Sequence, residues 1–221
     1  MKQTIILTLV LLSVSLSFAV TVAEIRENYS NYENKTVTIE GVITCPGGAF
    51  SNATFYIQDS TGGVLCYKSG GNFSDQALGD RGSVTGVVTK YNEEIEISDA
   101  SYTKSGSGNP PNPKSFTTGN ANTSAAEGWL LRISGTVQDA NPDKFKFNLN
   151  DGSGEVQVYL EKGVNINWDI VKNGAKLTVI GIGSTYKTTH EVKPRYSTDV
   201  TEGTGVRKVT WGEIKRLYKN D

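Results

Sequence analysis

The sequence predicts an all-β protein made of two tandem five-stranded barrels, with short helices and a C-terminal amphipathic helix. Short runs of alternating apolar and polar residues, separated by Gly, Asp and Asn, are typical of antiparallel strands joined by tight turns. One such hairpin spans 54–67 (TFYIQDSTGGVLCY), and a closely similar one spans 146–159 (KFNLNDGSGEVQVY). A hairpin repeated this closely indicates that a whole domain was duplicated.

The duplication extends to the strands on either side of the hairpin. Upstream, VTIEG (37–41) matches LRISG (131–135), and downstream GDRGSVTG (79–86) matches GAKLTVIG (174–181). Matched positions lie 92 to 95 residues apart, so insertions are confined to loops. Each unit therefore consists of one strand, a hairpin, a short helical connection and a second hairpin, which makes five strands.

The repeat and the composition divide the chain into five segments. Residues 105–127 form the predicted connector, because prolines and many Ser, Gly and Asn residues interrupt every periodic pattern there. At the C-terminus, VTWGEIKRLY (209–218) repeats the pattern of VTVAEIRENY (20–29), which predicts an amphipathic helix that packs on the second barrel or docks a protein partner. The predicted bounds are signal peptide 1–19, first barrel 20–104, connector 105–127, second barrel 128–200 and helical tail 201–221.

The N-terminal segment has the three parts of a secretory signal peptide. Lys2 supplies the positive charge, residues 5–12 the apolar stretch, and Ser17-Phe18-Ala19 a small-x-small cleavage site. We expect cleavage near Ala19 and a secreted or periplasmic protein. No other apolar run approaches the length of a membrane span, so none is expected after cleavage.

The formal charge is unevenly distributed although the net value is only −1. Residues 20–104 carry six Lys and Arg against eleven Asp and Glu, whereas residues 128–200 carry nine against eight. A polyanion such as nucleic acid would therefore prefer the second barrel and be repelled by the first.

The two cysteines, Cys45 and Cys66, both fall in the first unit. Strand alternation predicts that both side chains point into the barrel. Export to an oxidising compartment favours a disulfide between them, but two separate buried thiols remain the alternative. Two cysteines without clustered histidines do not make a metal site, so no metal is expected at them.

The strand order and several segments resemble a known family. VTIEGVIT (37–44), TFYIQDSTGGVLCY and GDRGSVTGVVTKYNEEIEI (79–97) resemble the OB-fold nucleic-acid-binding domain found as tandem or accessory modules in exported bacterial nucleases. SFTTGNANTSAAEGWLLRISGTV (115–137) resembles the connector into the second module of such tandems. The resemblance implies five-stranded barrels that bind oligonucleotides or oligosaccharides on the face of strands two and three.

Tyrosines and basic residues on the expected outer faces are the candidate ligand contacts. Bases of single-stranded nucleic acid stack on aromatic rings, and lysine or arginine side chains contact the phosphates. The alternative is that the tyrosines only cover the sheet surface. The predicted nucleic-acid-binding residues are Tyr56, Tyr67, Lys68, Tyr91, Lys146, Tyr159, Tyr186, Lys187, Lys193 and Arg195.

The sequence offers no convincing catalytic constellation. His190 is the only histidine and has no evident partner. The acidic group Glu93, Glu94 and Glu96 supplies too few oxygens for calcium and is expected to be a solvated strand edge. We therefore expect a non-enzymatic protein without cofactor or metal.

The leading hypothesis is weak binding of single-stranded nucleic acid in the OB grooves. The alternatives are an oligosaccharide-binding or protein–protein adaptor module at the cell surface or in the periplasm, and a metal-dependent nuclease.

Overall fold

The computed structural model describes residues 19–203, and its first half is a closed barrel. The strands are β1 (Thr36–Cys45), β2 (Thr54–Gln58), β3 (Gly63–Tyr67), β4 (Arg81–Tyr91) and β5 (Glu94–Gly106). They pair in the order β1-β2-β3-β5-β4, and β4 closes the ring on β1. Only the β3–β5 pair is parallel.

The second half repeats this ring. Its strands are β6 (Lys114–Ser115), β7 (Leu130–Asn141), β8 (Lys146–Asn150), β9 (Glu155–Tyr159), β10 (Lys176–Tyr186), β11 (Thr189–Lys193) and β12 (Val200–Glu202). β7, β8, β9, β11 and β10 pair in that order, and β10 pairs back with β7. The short strands β6 and β12 add to β7 and β10. The prediction of an all-β fold with two five-stranded barrels is confirmed.

Helical segments are short and lie before or between the barrel strands. They are α1 (Val22–Glu27), α2 (Tyr29–Tyr32), α3 (Thr118–Ala121) and the 3-10 helices Ser124–Ala126, Pro142–Lys144 and Ser197–Asp199. Within the described residues, no helix is long and apolar enough to cross a membrane. Except for Ala19, the predicted signal peptide lies outside the described residues, and so does the predicted C-terminal tail from residue 204 onwards. The first residues of that tail belong to β12 instead of a helix.

Helix α3 is the second copy of α1 and lies inside the predicted connector. Thr21 caps α1 by accepting from the Glu24 backbone N–H, and Thr117 caps α3 by accepting from that of Asn120. Each helix is then tied to the hairpin of its own barrel by an aspartate. Asp59 accepts from the Val22 N–H at 2.9 Å, and Asp151 accepts from the Thr118 N–H at 3.2 Å. Residues 116–127 thus belong structurally to the second barrel.

Equivalent side chains fill the two barrel cores. Because successive residues of a strand point to opposite faces, every second residue of each hairpin enters the core. The equivalent buried pairs are Phe55 and Phe147, Ile57 and Leu149, Val64 and Val156, and Cys66 and Val158.

A third apolar cluster joins the barrels and contains Cys45, whereas Cys66 lies in the core of the first barrel. Cys45 and Tyr56 pack there with Leu130 and Ile182 of the second barrel. The expectation that Cys45 points into its own barrel is wrong, because a β-bulge after Ile43 shifts the register and turns Cys45 outward. Cys66 lies in the barrel core on the other side of the sheet. Both thiols are free and buried, so the disulfide is not formed.

Candidate functional site

A cleft of about 850 Å³ lies between the two barrels. Strands β2, β3 and β5 supply one wall, and strands β8, β9 and β11 supply the other. These include strands two and three of each barrel, which form the ligand-binding face of OB folds. Both barrels therefore turn that face towards a single shared space.

The two walls carry matching residues because the barrels are copies of each other. Glu96 pairs with Leu65 on the neighbouring strand, and Glu191 pairs in the same way with Gln157. Tyrosines from the ends of matching strands line the same cleft as these carboxylates. The matched residues that line the cleft are Tyr67 and Tyr159, Tyr91 and Tyr186, and Glu96 and Glu191.

The floor of the cleft is a buried polar network. Glu94 accepts hydrogen bonds from the hydroxyls of Tyr56 at 2.9 Å and Ser184 at 2.8 Å. Since Ser184 belongs to the second barrel, this carboxyl group bridges the two units. Burial raises the pKa of Glu94 to about 7. Glu94 and Glu96 are only 5% and 8% exposed, so the expectation of a solvated edge is wrong for these two, whereas Glu93 is exposed.

A second carboxylate beside this floor also connects the barrels. Glu127 accepts from the Arg26 guanidinium at 2.6 Å, from the Ile95 backbone N–H at 3.1 Å and from the Thr185 hydroxyl. Gln58 adds a bond from the Leu130 backbone N–H at 2.9 Å. These contacts hold the barrels in one arrangement, so the cleft is preformed.

Tyr56 is a predicted stacking residue that the structure buries. Its side chain is only 1% exposed, because the second barrel covers the face that would be open in an isolated barrel. Strand alternation correctly places the ring outside its own barrel core. Strand alternation contains no information about a neighbouring domain that covers the strand. In the structure Tyr56 contributes its hydroxyl to the floor of the cleft and offers no ring face to a ligand.

Two of the residues predicted to contact phosphates, Arg195 and Lys193, already form ion pairs with carboxylates of the protein. Arg195 is 7% exposed and binds Asp199 at 3.0 Å and the Thr44 carbonyl oxygen at 2.8 Å. Lys193 lines the cleft but forms an ion pair with Glu161 at 2.8 Å. The prediction is wrong for Arg195, because its buried guanidinium cannot reach a phosphate. Lys193 faces the cleft with its charge already compensated.

The other predicted basic residues lie in or near the cleft. The Lys146 ammonium donates to the Gln157 side-chain oxygen at 2.9 Å within the cleft. Lys187 has left-handed backbone geometry, and its N–H donates to the Asn92 carbonyl oxygen at 2.6 Å. This bond joins the β4–β5 loop of the first barrel to the β10–β11 loop of the second. Lys68 is exposed and does not line the cleft.

The predicted tyrosines other than Tyr56 present accessible rings to the cleft. Tyr91, Tyr186 and Tyr67 are 66%, 51% and 36% exposed. Tyr159 is half-buried on the opposite wall from Tyr67. The structure thus brings together four tyrosines that are far apart in the sequence.

The cleft carries nearly balanced charge. Three lysines (Lys144, Lys146 and Lys193) and four glutamates (Glu94, Glu96, Glu161 and Glu191) line it. Burial raises the pKa of Glu96 and of Glu191. Burial opposes the charge of Lys193, but the carboxylates of Glu94 and Glu161 raise its pKa overall. A polyanion would gain little from this balance.

Nothing in the described part of the chain is arranged to bind a metal ion. Residues 19–203 contain no group of three or more His, Cys, Asp or Glu side chains with suitable placement. The His190 ring nitrogen Nδ1 lies 3.1 Å from the Thr185 hydroxyl.

Glu96, Glu127 and Glu191 are site residues that the sequence predictions missed. The recurrence of Glu-Ile and Glu-Val at 96–97 and 191–192 was the one available signal, since it places a carboxylate at the same strand position in each barrel.

Fold and cleft define a protein with two OB-type barrels whose second and third strands line one shared cleft. No family model matches the sequence, and no curated protein does. A murine DNA-binding protein bound to double-stranded DNA is similar at 10% identity and a TM-score of 0.39, over 77% of this chain and 98% of that one. The Ifi202 HINa domain in complex with DNA matches at 12% identity and a TM-score of 0.36, over 73% and 92%. At TM-scores this low, the likeness carries no argument about function.

Proposed function

We propose that this chain binds single-stranded nucleic acid in the cleft between its barrels and catalyses no reaction on it. The observation that supports this most directly is that four tyrosines, Tyr67, Tyr91, Tyr159 and Tyr186, line one cleft formed by both OB ligand faces. Base stacking on an aromatic side chain contributes about 1–3 kcal/mol per base. Single strands expose the faces of their bases, whereas a duplex keeps them stacked.

The charge of the cleft determines how such a ligand would lie. Since glutamates outnumber lysines inside, the bases enter and the phosphates stay at the rim. Two exposed lysines are available there, Lys144, which lines the cleft, and Lys187, which follows the cleft residue Tyr186. Few counterions would be released by so few contacts, so binding is weak and only mildly dependent on salt.

We also propose that the protein acts outside the cytoplasm, secreted or in the periplasm. The support is the N-terminal sequence, with Lys2, the apolar residues 5–12 and the small-x-small site before Val20. N-terminal sequencing of the protein recovered from the periplasm or medium of its producing cells tests this. A start at residue 1, or retention in the cytoplasm, would contradict it.

An oligosaccharide is the second candidate ligand. The carboxylates of the cleft, with Gln157 and Asn92, offer more acceptors for hydroxyl groups than cations for phosphates. OB folds bind oligosaccharides as well as oligonucleotides on this face. Binding of a neutral sugar would not weaken as salt is raised, because no counterions are released.

Titration of a fluorescent single-stranded oligonucleotide, followed by anisotropy, tests the leading proposal. Tyr159→Ala and Tyr186→Ala should each weaken binding about 5- to 150-fold, the equivalent of one lost stacking contact. Tyr32→Ala, on α2 outside the cleft, is the control and should leave affinity unchanged.

The same titration at about 50 mM salt, where phosphate contacts are strongest, run beside a titration with neutral glycans, separates the two ligand classes. Binding of neutral glycans, with no binding of the oligonucleotide at low salt, would establish the second candidate. If the affinity for the oligonucleotide is the same in wild type and in both tyrosine variants, the binding site does not lie in the cleft.

A further inference from the structure

Glu96 and Glu191 occupy equivalent positions on β5 and β11, one in each wall of the cleft. They are 8% and 6% exposed, which is unusual for carboxylates that have no ion-pair partner among residues 19–203. The duplication has therefore placed the same buried acceptor on both sides of the proposed ligand.

Each of these carboxylates has one oxygen without a hydrogen-bond donor among residues 19–203. Glu96 Oε1 accepts from the Thr89 hydroxyl at 3.3 Å, and Glu191 Oε2 accepts from the Gln157 amide at 2.9 Å. The second oxygens, Glu96 Oε2 and Glu191 Oε1, have no protein donor in that range. Neither oxygen is sealed from solvent, so each is open to the cleft and can accept a hydrogen bond from a donor on a ligand.

The other two cleft carboxylates are already occupied. Glu94 binds the hydroxyls of Tyr56 and Ser184, one on each oxygen. Glu161 forms its ion pair with Lys193. Among the cleft carboxylates of residues 19–203, the matched pair therefore combines an oxygen that has no protein donor with the lack of an ion-pair partner.

We propose that Glu96 and Glu191 determine specificity by accepting hydrogen bonds from amino groups on ligand bases, so that cytosine is preferred over thymine. This inference rests on the proposed binding of single-stranded nucleic acid. Cytosine carries an amino donor at position 4, where thymine carries a carbonyl acceptor. A carboxylate oxygen accepts a hydrogen bond from the cytosine amino group. Opposite the thymine carbonyl it meets a second acceptor, so no hydrogen bond forms and the two oxygens repel each other.

Competition between oligo-dC and oligo-dT of equal length, about 12 nucleotides, measures this preference because backbone charge is identical and both bases are pyrimidines. Wild-type protein should bind oligo-dC about 5- to 150-fold more tightly, since one discriminating contact contributes about 1–3 kcal/mol. The measurement belongs at slightly alkaline pH, where cytosine strands do not pair through shared protons.

Glu96→Gln and Glu191→Gln should each reduce the preference towards equality. A glutamine amide can accept from cytosine or donate to the thymine carbonyl, so it no longer distinguishes them. Glu155→Gln, exposed on β9 outside the cleft, is the matched control and should retain the wild-type preference. The unfolding midpoint of each variant establishes that it is folded.

A measurement on the unaltered protein makes the test independent of the variants. An oligonucleotide in which 2-pyrimidinone replaces cytosine lacks only the 4-amino group, and it should bind about as weakly as oligo-dT. Equal affinity for all three oligonucleotides, or an undiminished preference in both glutamine variants, would overturn the inference and leave the proposed function intact. Failure of every oligonucleotide to bind would instead refute the proposed function.

Discussion

At the scale of single residues, Glu94 couples the stability of the protein to pH. Its carboxyl group is buried between Tyr56 and Ser184, and burial raises its pKa to about 7. The other charged groups near it are Glu127, which also raises the pKa, and Lys193, which lowers it. In the unfolded chain, by contrast, a glutamate titrates near pKa 4.3. Between these two values the folded state binds the extra proton, so stability falls as pH rises through that range.

We expect the free energy of unfolding to decrease from about pH 5 to about pH 8, with Glu94 responsible for about 3 kcal/mol of the change. Urea unfolding at several pH values measures it. Glu94→Gln should give a flatter profile and a protein at least as stable as wild type at the alkaline end. A profile that rises over this range in wild type would contradict the assignment. Asp80 and Asp151, whose pKa values are lowered, contribute with the opposite sign but only below about pH 4.

Single residues also mark the limit of strand alternation as a predictor. Strand alternation predicts Tyr67 and Tyr159 on the outer faces of the hairpins, and the loop between the last two strands of each OB fold is expected to carry Tyr91 and Tyr186 beside the groove. The structure places all four in the cleft. For Tyr56 and Arg195, strand alternation gives the direction of the side chain but not its exposure to solvent. That exposure depends on what packs over the strand.

At the scale of elements, the hairpins at 54–67 and 146–159 were predictable because alternation, turn residues and repetition all agree on them. Their aspartates have a role that extends beyond the turn. Asp151 accepts from Ser153 inside the turn and from Thr118 at the start of α3. Hydrogen bonds from Ser153 and Thr118 hold the pKa of Asp151 well below its usual range.

Asp151→Ala should therefore destabilise the second barrel by about 1–3 kcal/mol, the cost of leaving several donors without an acceptor. Amide hydrogen exchange should accelerate first in α3 and the β8–β9 turn. Asp169→Ala, at an exposed position of the same barrel, serves as the control and should change stability by less than about 0.5 kcal/mol. Unchanged exchange in α3 would show that Asp151 does not anchor the helix.

The bulge in β1 is a feature that the apolar–polar alternation of a single strand does not predict. The alternation through Ile43 predicts an inward Cys45, whereas the register shift turns that thiol towards the second barrel. Bulges arise from the pairing of two strands, so the sequence of one strand does not reveal them.

At the scale of the whole molecule, duplication predicts two barrels but does not predict how they pack. Apart from the bond between Lys187 and Asn92 in equivalent loops, the side-chain contacts described above come from residues that differ between the two copies. Gly63 of the first barrel approaches the Gly128 carbonyl so closely that a Cβ there would collide with it. Arg26, held between the Gly63 carbonyl and Glu127, completes this junction. The cleft exists because these few residues fix two similar surfaces face to face.

Removal of the Glu127 carboxylate tests whether that junction maintains the cleft. Glu127→Ala leaves Arg26 without its carboxylate partner. The Ile95 N–H and the Thr185 hydroxyl, which both donate to Glu127, lose their acceptor as well. We expect a loss of about 3 kcal/mol in unfolding free energy, at the lower end for a broken buried pair because Arg26 is 20% exposed.

The control is Glu93→Ala, which removes the exposed pair with Lys90 and should cost less than about 1 kcal/mol. X-ray scattering then separates the two roles that Glu127 could have. If the junction fixes the barrels, the variant becomes more extended and any ligand affinity falls, while each barrel retains its fold. If the scattering profile is unchanged although stability drops, Glu127 contributes only to stability, and the apolar cluster around Tyr56 and Leu130 is what holds the cleft in shape.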